Sequence, residues 1–413
     1  MKVYKFGGAA IKDADSIKNV VSILKKKSVA IVVFSAMGKM TNAFEKLTDA
    51  YYCKNKDVEQ RFGFIKNFHD NIIDELFEKR SEERDVLEAL FTALNNILQL
   101  PVDENHDFVY DKIVSFGEKI STTILSLYLS NCGIENVLLD ACKVVRTNSN
   151  FREGSVDFDA TQKNFNSVFK KDKVNIIQGF VGGTETGDVV TLGREGSDYS
   201  AAIMGAVSGA ESVTIWKDVA GILNCDPCIF NQTKKFDSIS YHEAIELAYY
   251  GAKVIHHKTI KPLQNSNITL LVKSFIHPDK EGTVINKGTD SDDIHTSYIL
   301  KSKQVLLSIS TRDFSFIAEE NLHTLYGVFS VLNIKINMMQ HSAITTSVCF
   351  DYNESKLKSL LNRLKEKYHV RYNSDLQLVT IRHYNEESIN KMSAGKKILL
   401  EQRSRKTVQL VVQ

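Results

Sequence analysis

"GFVGGTETGDVVTLGREGSDYSAA" (residues 179–202) holds the densest chemical signal in the chain. Its second half, "TLGREGSD", sets Arg194, Gly196, Ser197 and Asp198 at a glycine-rich turn that feeds a helical pattern over 197–208. Exposed N–H groups at a helix start favour anions, and an arginine beside them grips a carboxylate through two parallel hydrogen bonds. As local structure alone, the stretch is a loop whose helix is capped by Ser197 or Asp198. A cap, however, does not call for Arg, Gly and Asp together. On either side, "VNIIQ" (174–178) and "SVTIW" (212–216) read as strands, so strand and helix alternate through this region.

The same alternation opens the chain. Residues 2–6 read as a strand, and Ile11, Ala14, Ile17, Val20, Val21 and Leu24 recur at helical spacing. "VAIVVF" (29–34) is a continuous apolar run, as in a strand buried on both faces. Together these make a βαβ unit with a parallel sheet. Between strand and helix lies "KFGGAA" (5–10). Glycines let backbone N–H groups approach a ligand, successive N–H groups form an anion-binding concavity, and Lys5 adds a point charge suited to phosphate.

Residues 43–100 carry charges at helical spacing and no strand-like run, and are expected to be all-helical. A helix near 117–130 follows, with Glu118 of "SFGEKIST" at its start, and then the strand "NVLLD" (136–140). "WKDVAGILNCDPCIF" (216–230) reads as a strand end and two turns. Ser240 and Glu243 have capping-box spacing, for a helix that stops near Gly251. "AYYGAKVIHHKTIKP" (248–262) offers Lys253, and "ITLLVKSF" (268–275) is another strand. The polar, turn-rich "NKGTDSDDIH" (286–295) is the expected linker. Beyond it the pattern is twice strand, helix, strand: strands at 305–310, 334–339, 345–350, 376–383, 397–402 and 407–412, with helices at 319–332 and 354–367. That rhythm predicts two small α+β modules with antiparallel sheets, the second shortened.

With 413 residues, the chain exceeds one core, so two or three domains are expected. Its 52 basic residues nearly balance 50 acidic ones, which gives no electrostatic case for nucleic acid or an anionic membrane surface. Charge returns at Lys12 and Asp13, so no signal peptide is expected, and no apolar run reaches membrane-helix length. Six scattered cysteines form no disulfide framework, and a reducing cytoplasm is the expected home. "CDPC" (225–228) lacks a second cysteine pair at zinc-ribbon spacing and reads as incidental. The His256–His257 pair reads as local packing, because adjacent helix positions diverge. No metal site is predicted.

Taken together, these stretches resemble the aspartate kinases of the amino-acid kinase fold, in order and over the whole chain. "KFGGAA" is similar to that family's opening KFGG-T-S, and "FSAMGKMTNAF" (34–44) to its second-strand turn. "GE" (117–118), "GFVG" (179–182), "TLGREGSD", "WKDVAGI", "DP" and "GAKVIHHKT" follow at suitable spacing, and the tail resembles paired ACT modules. The resemblance implies a catalytic domain over 1–285, a linker over 286–300 and paired regulatory modules over 301–413. It also implies transfer of the γ-phosphoryl of ATP to the side-chain carboxylate of L-aspartate, the first step of lysine, threonine and methionine biosynthesis. Mg²⁺ is expected with ATP, held largely by phosphates and water.

By resemblance, Lys5, Gly7 and Gly8 hold the transferring phosphoryl group, and Asp198 organises Lys5. Ser35 and Thr41 line the aspartate pocket with Phe180 as its wall. Glu118 meets the substrate ammonium and Arg194 a substrate carboxylate, with Ser197 nearby. Lys217, Asp218, Asp226 and Lys253 lie on the ATP side. The tail is expected to pair in a homodimer and bind an amino-acid effector near Asn333, Ile336, Asn337 and Ser347. Asn337 stands where lysine-sensitive relatives often carry Asp, which predicts weak inhibition by lysine or control by a neutral effector such as threonine. Ala9 and Ala10 replace Thr and Ser, Lys217 a Thr, Cys228 an Arg and His257 a Pro; these departures bear on ATP affinity. Two alternatives remain at this point: another kinase of the same fold, and a catalytically weakened effector-binding partner. A P-loop enzyme is disfavoured because no G-x-x-x-x-G-K-[ST] occurs.

Overall fold

A computed structural model describes residues 1–26, 31–252, 255–288, 295–313 and 315–413. The chain divides into two units: Met1–Ile222 with Lys235–Ile245 and Val254–Thr289, and Leu223–Lys234 with Glu246–Lys253 and Asp290–Gln413.

The first unit opens β1 (Lys2–Phe6), α1 (Ala14–Lys26), β2 (Ile31–Phe34), with Val29 and Ala30 of the expected strand outside the described residues. A run of helices follows: α2 (Met40–Tyr52), α3 (Val58–Leu76), α4 (Glu82–Leu98), α5 (His106–Val114) and α6 (Phe116–Asn131). Next come β3 (Asn136–Leu139), α7 (Ala141–Val144), α8 (Phe158–Val168), β4 (Val174–Gln178), β5 (Val181–Gly183), β6 (Val189–Thr191), α9 (Gly196–Ser208) and β7 (Ser212–Lys217). After β8 (Ser238–Ser240), α10 (Tyr241–Tyr250) is divided between the units, and α11 (His257–Asn265), β9 (Thr269–Ser274) and β10 (Thr283–Asn286) complete the first.

Among the described residues, eight strands form one sheet in the order β3-β4-β2-β1-β7-β9-β10-β8. Every pairing is parallel except β9 with β10. β1 lies centrally, with Lys5 level with Val33 of β2 and Ile215 of β7. Its neighbour Phe6 stacks on Trp216, ring centroids 6.0 Å apart, and meets Phe34 and Phe275 edge-on or tilted. This aromatic layer is fully or nearly buried and anchors the strand ends from which the loops of the site emerge. β5 and β6 form a separate antiparallel hairpin that the sequence reading left unassigned.

In the second unit, β11 (Ser297–Thr311), α12 (Glu319–Val331), β12 (Ile336–His341), β13 (Thr345–Asp351), α13 (Glu354–Leu364), β14 (Tyr368–Arg382), α14 (Glu386–Ser393), β15 (Ile398–Arg403) and β16 (Thr407–Val412) build one antiparallel sheet. Its order is β12-β13-β11-β14-β16-β15. α12 and α13 bury Leu325, Phe329, Leu357, Leu360 and Leu364 against Val305, Leu307 and Ile309. α14 buries Ile389 and Met392 against Val379, Ile381, Val408 and Leu410. The two strand–helix–strand repeats therefore share one sheet, because β11 and β14 run as 15-residue strands through both halves.

Two sequence expectations need correction. The linker expected over 286–300 is shorter: β10 ends at Asn286, and Ser297 already pairs with Arg382. The catalytic domain expected over 1–285 is not one continuous segment, because 223–234 and 246–253 belong to the second unit. Long-range contacts explain the first of these. The Asn224 carbonyl accepts the Tyr298 amide, the Asn224 side chain donates to the Thr296 carbonyl, and Phe230 packs on Tyr298.

Candidate active site

Asp198 sits in the first turn of α9 with its carboxylate buried. Lys5 approaches one oxygen at 2.6 Å and Lys217 the other at 3.2 Å. Burial alone would raise the pKa of this carboxyl, but Lys217 and Lys5 outweigh burial and hold it at about 2. Two ammonium groups thus meet on one carboxylate, with the Glu195 carboxyl also within electrostatic reach of both. Lys5 is buried and Lys217 one-fifth exposed. Sequence reading placed Lys217 on the nucleotide side; its ion pair with Asp198 appears only in three dimensions.

The glycines next to Lys5 have a steric reason. A Cβ on Gly7 would come within 3.0 Å of the Lys5 ammonium, and one on Gly8 within 2.8 Å of the Ala36 and Gly38 carbonyls. The Gly7 carbonyl accepts the Ala10 amide and the Gly8 carbonyl the Gly38 amide, which ties the opening loop to the turn after β2. No hydrogen bond occupies the amides of Gly7, Gly8 and Ala9 among the described residues.

The same turn carries Ser35 and meets α6. Gly117 allows this approach, since a Cβ there would lie 3.0 Å from that of Ala36 and 3.3 Å from the Phe44 ring. Glu118 follows, fully buried, with Oε1 accepting the Ala36 amide at 3.2 Å. Its Oε2 and the Ser35 hydroxyl are buried without a hydrogen-bond partner among the described residues. Burial pushes the Glu118 carboxyl up to about 8 against the pull of the Ala36 amide and of Lys5. A carboxyl so placed would take up its charge on meeting a cation.

"GFVG" and "EGSD" meet face to face. A Cβ on Gly179 would strike Ser197 at 2.7 Å, and one on Gly196 would strike the Phe180 ring at 2.5 Å. Phe180 (φ 67°) and Glu195 (φ 54°) both hold the left-handed conformation, a strained arrangement typical of functional turns. The Phe180 amide donates to the Ser200 hydroxyl. Neither Ser197 nor Asp198 caps α9; Glu195 stands at the N-cap without a side-chain bond, so the local-structure reading of this stretch fails. Arg194 is exposed, and the acid it acts on electrostatically is its chain neighbour Glu195.

Not every expected residue joins this cluster. Thr41 lies half-buried in the first turn of α2 and Asp218 is exposed after β7, neither bonded to it among the described residues. Asp226 belongs to the second unit, where its carboxylate accepts the Cys228 amide. Lys253 lies outside the described residues. Cys225 and Cys228 are free thiols, one buried and one exposed. His256 is the N-cap of α11 rather than a residue within it, so its ring and that of His257 lie 4.1 Å apart instead of diverging. Among the described residues no acidic, histidine or cysteine cluster could hold a metal ion, and no helix is long and apolar enough to cross a membrane.

Of the effector residues, Ile336 and Asn337 line one recess in the second unit, whereas Asn333 and Ser347 do not. The Asn333 carbonyl instead accepts from Lys356, and Ser347 pairs with Ser308 and Gln340 in the sheet.

Sequence reasoning missed Asp111. Fully buried on α5, it accepts the Thr191 hydroxyl and the amides of Thr191 and Arg152, and so fixes the β6 strand that leads into Arg194. An acid between the apolar Val109–Tyr110 and Ile113–Val114 was the available signal.

Residues 1–274 match the amino acid kinase family. Aspartokinase 1 of Arabidopsis thaliana, a chloroplast protein, is 32% identical over 366 residues, 84% of this chain and 63% of its own length. Aspartokinase 2 of the same plant is 31% identical over 380 residues, 88% of this chain and 69% of its own. The chain thus spans roughly two thirds of the length of these curated relatives. Escherichia coli aspartokinase III, solved in complex with aspartate and ADP in the R-state, superposes with a TM-score of 0.85 at 25% identity, covering 100% of this chain and 96% of that one. Its T-state complex with lysine and aspartate gives 0.83. The parallel sheet and the antiparallel tail are accordingly the amino-acid kinase fold with ACT modules, and the chain belongs to the amino acid kinase family and, within it, to the aspartokinases.

Proposed function

We propose that this chain is an ATP-dependent aspartate kinase that converts L-aspartate to 4-phospho-L-aspartate, the entry step of aspartate-family amino-acid biosynthesis. The observation that carries this reading is the buried Asp198 carboxylate shared by Lys5 and Lys217 beside the bare amides of Gly7 and Gly8. The acceptor carboxylate is already ionised at pH 7, so no general base is needed. The obstacle is electrostatic: an anion must approach a polyphosphate in line. One aspartate side-chain oxygen bonds to the γ-phosphorus while the bond to the departing ADP oxygen breaks. Lys5 and Lys217, held apart by Asp198, neutralise charge on the phosphoryl oxygens, and the Gly7–Gly8 amides receive them. Glu118 takes the substrate ammonium and Arg194 its α-carboxylate, with Ser35, Thr41, Phe180 and Ser197 shaping the pocket. Asp218, Asp226 and Lys253 are the further residues assigned to ATP.

Nucleotide binding follows the complex with aspartate and ADP formed by the E. coli relative. Mg²⁺ enters on the phosphates, a mode that suits a site without a protein metal cluster among the described residues. The second unit is assigned to an amino-acid effector and to homodimer formation, and the cytoplasm is the assigned compartment. Hydroxylamine trapping tests the reaction. With aspartate and MgATP the acyl phosphate yields the hydroxamate; its absence, with ATP consumed on another acceptor, would replace aspartate as the substrate.

A further inference from the structure

Lys301, at the start of a bulge in β11, reaches across the sheet of the second unit. The β11–β14 register slips between Lys301 and Gln304, and Lys303 takes φ 54°. The Lys301 ammonium donates to Asn337 Oδ1 at 2.9 Å. The Asn337 amide nitrogen donates to Gln304 Oε1 at 2.9 Å and to Asp351 Oδ1 at 3.0 Å. Gln304, fully buried, returns a bond to Asp351 at 2.8 Å. Both donor hydrogens and the carbonyl of Asn337 are thereby engaged. The Lys301 stem lies against Gly251, where a Cβ would come within 2.6 Å of it and where φ is +115°. Around the ammonium, Tyr249, Tyr250, Lys335, Ile336 and Leu378 leave a recess of about 10 Å³, room for no more than one water.

We propose that Asn337, Gln304 and Asp351 form a socket for a primary ammonium ion that the chain fills with its own Lys301. The socket offers a carbonyl oxygen backed by a carboxylate, which suits an ammonium rather than an anion. Lys335, the other cation of the recess, lies over the Tyr249 ring at 5.1 Å. While Lys301 stays in place, it occupies the Asn337 carbonyl oxygen, and the recess lacks the volume for a free amino acid or alkylamine. Withdrawing the side chain exposes both. This reading stands on the cluster alone and is independent of the catalytic assignment.

The test severs the resident ligand and supplies it from solution. In full-length Lys301→Ala, n-propylammonium replaces the atoms removed beyond Cβ. It should raise the melting temperature saturably by about 2–4 °C, while 1-propanol at equal concentration and matched NaCl do not. The unsubstituted protein and Lys301→Met, whose thioether chain fills the space without a charge, should show no such rise. If Lys301→Ala does not fold alone, expression and refolding with n-propylammonium should recover it. A variant that neither binds nor is recovered by the amine overturns the proposal, and so does an equal saturable rise in the unsubstituted protein.

Discussion

Each unit of this chain sets a lysine against a buried polar side chain, Asp198 in the first and Asn337 in the second, and the two clusters differ in what is left over. Around Asp198 there are two ammonium groups for one carboxylate, with unoccupied backbone amides close by. Around Asn337 one ammonium, one carboxylate and two amides are linked by four hydrogen bonds. Paired ammonium groups beside unspent amide donors favour an anion, so the first arrangement suits catalysis on phosphate. The second is more nearly balanced, because its members supply three of the four bonds the Asn337 side chain can make. A lysine held by a polar side chain therefore says little by itself; the balance of donors and acceptors around it separates a site from a strut.

The strongest way to break that contrast is Lys5→Ala. Lys217 still pairs with Asp198, so the fold should persist by circular dichroism while kcat falls roughly 10²–10³-fold. Turnover near normal would mean that the Lys5 charge plays no part in phosphoryl transfer. Arg194→Ala comes next. The exposed guanidinium is assigned to a substrate carboxylate, so the aspartate KM should rise by about 10- to 100-fold, the worth of a charge-assisted hydrogen bond, with the ATP KM nearly unchanged. Equal shifts in both constants would move Arg194 out of the aspartate pocket.

Glu118 sharpens the comparison through protons. With its carboxyl at about 8, it is mainly protonated at pH 7 in the free protein. A substrate ammonium stabilises the ionised form, so aspartate binding at pH 7 should release close to one proton. Calorimetry in buffers of different ionisation enthalpy measures this, and Glu118→Gln should abolish the release. The raised pKa also has a sign for stability. The folded state holds the proton more tightly than the unfolded chain, so this contribution is full below pH 4.5 and is lost as the pH climbs to about 8. Glu118→Gln should flatten that decline in melting temperature. The smallest effect is expected at Ala9, where a hydroxyl is missing beside the phosphate loop. Ala9→Thr should change the ATP KM by no more than about tenfold, the range of one added hydrogen bond. A larger change would make the loop's side chains, rather than its backbone, the principal phosphate contact.

Much of the first unit's site was legible as sequence because its requirements are local. "KFGG", "GE" and "EGSD" encode bare backbone where chains touch, and the steric positions of Gly7, Gly8, Gly117, Gly179 and Gly196 account for those glycines. Lys217 was visible as a residue but not as a partner of Asp198. Asp111 was hidden because nothing in α5 indicates that it meets Thr191, 80 positions later. The effector residues were read as one patch; of the four, Ile336 and Asn337 line the recess, where Lys301, unremarked in sequence, holds Asn337.

Sequence alone determined the alternation of the principal strands and helices, the parallel core, the antiparallel tail and the residue types of the opening glycine turn. Hydrophobic period, turn chemistry and glycine placement are properties of neighbours along the chain. Only the tertiary structure decided that 223–234 and 246–253 leave the catalytic unit, that two modules share one sheet through β11 and β14, and which carboxylate each lysine meets. Those outcomes depend on pairings between residues tens to hundreds of positions apart, whose geometry no local pattern carries.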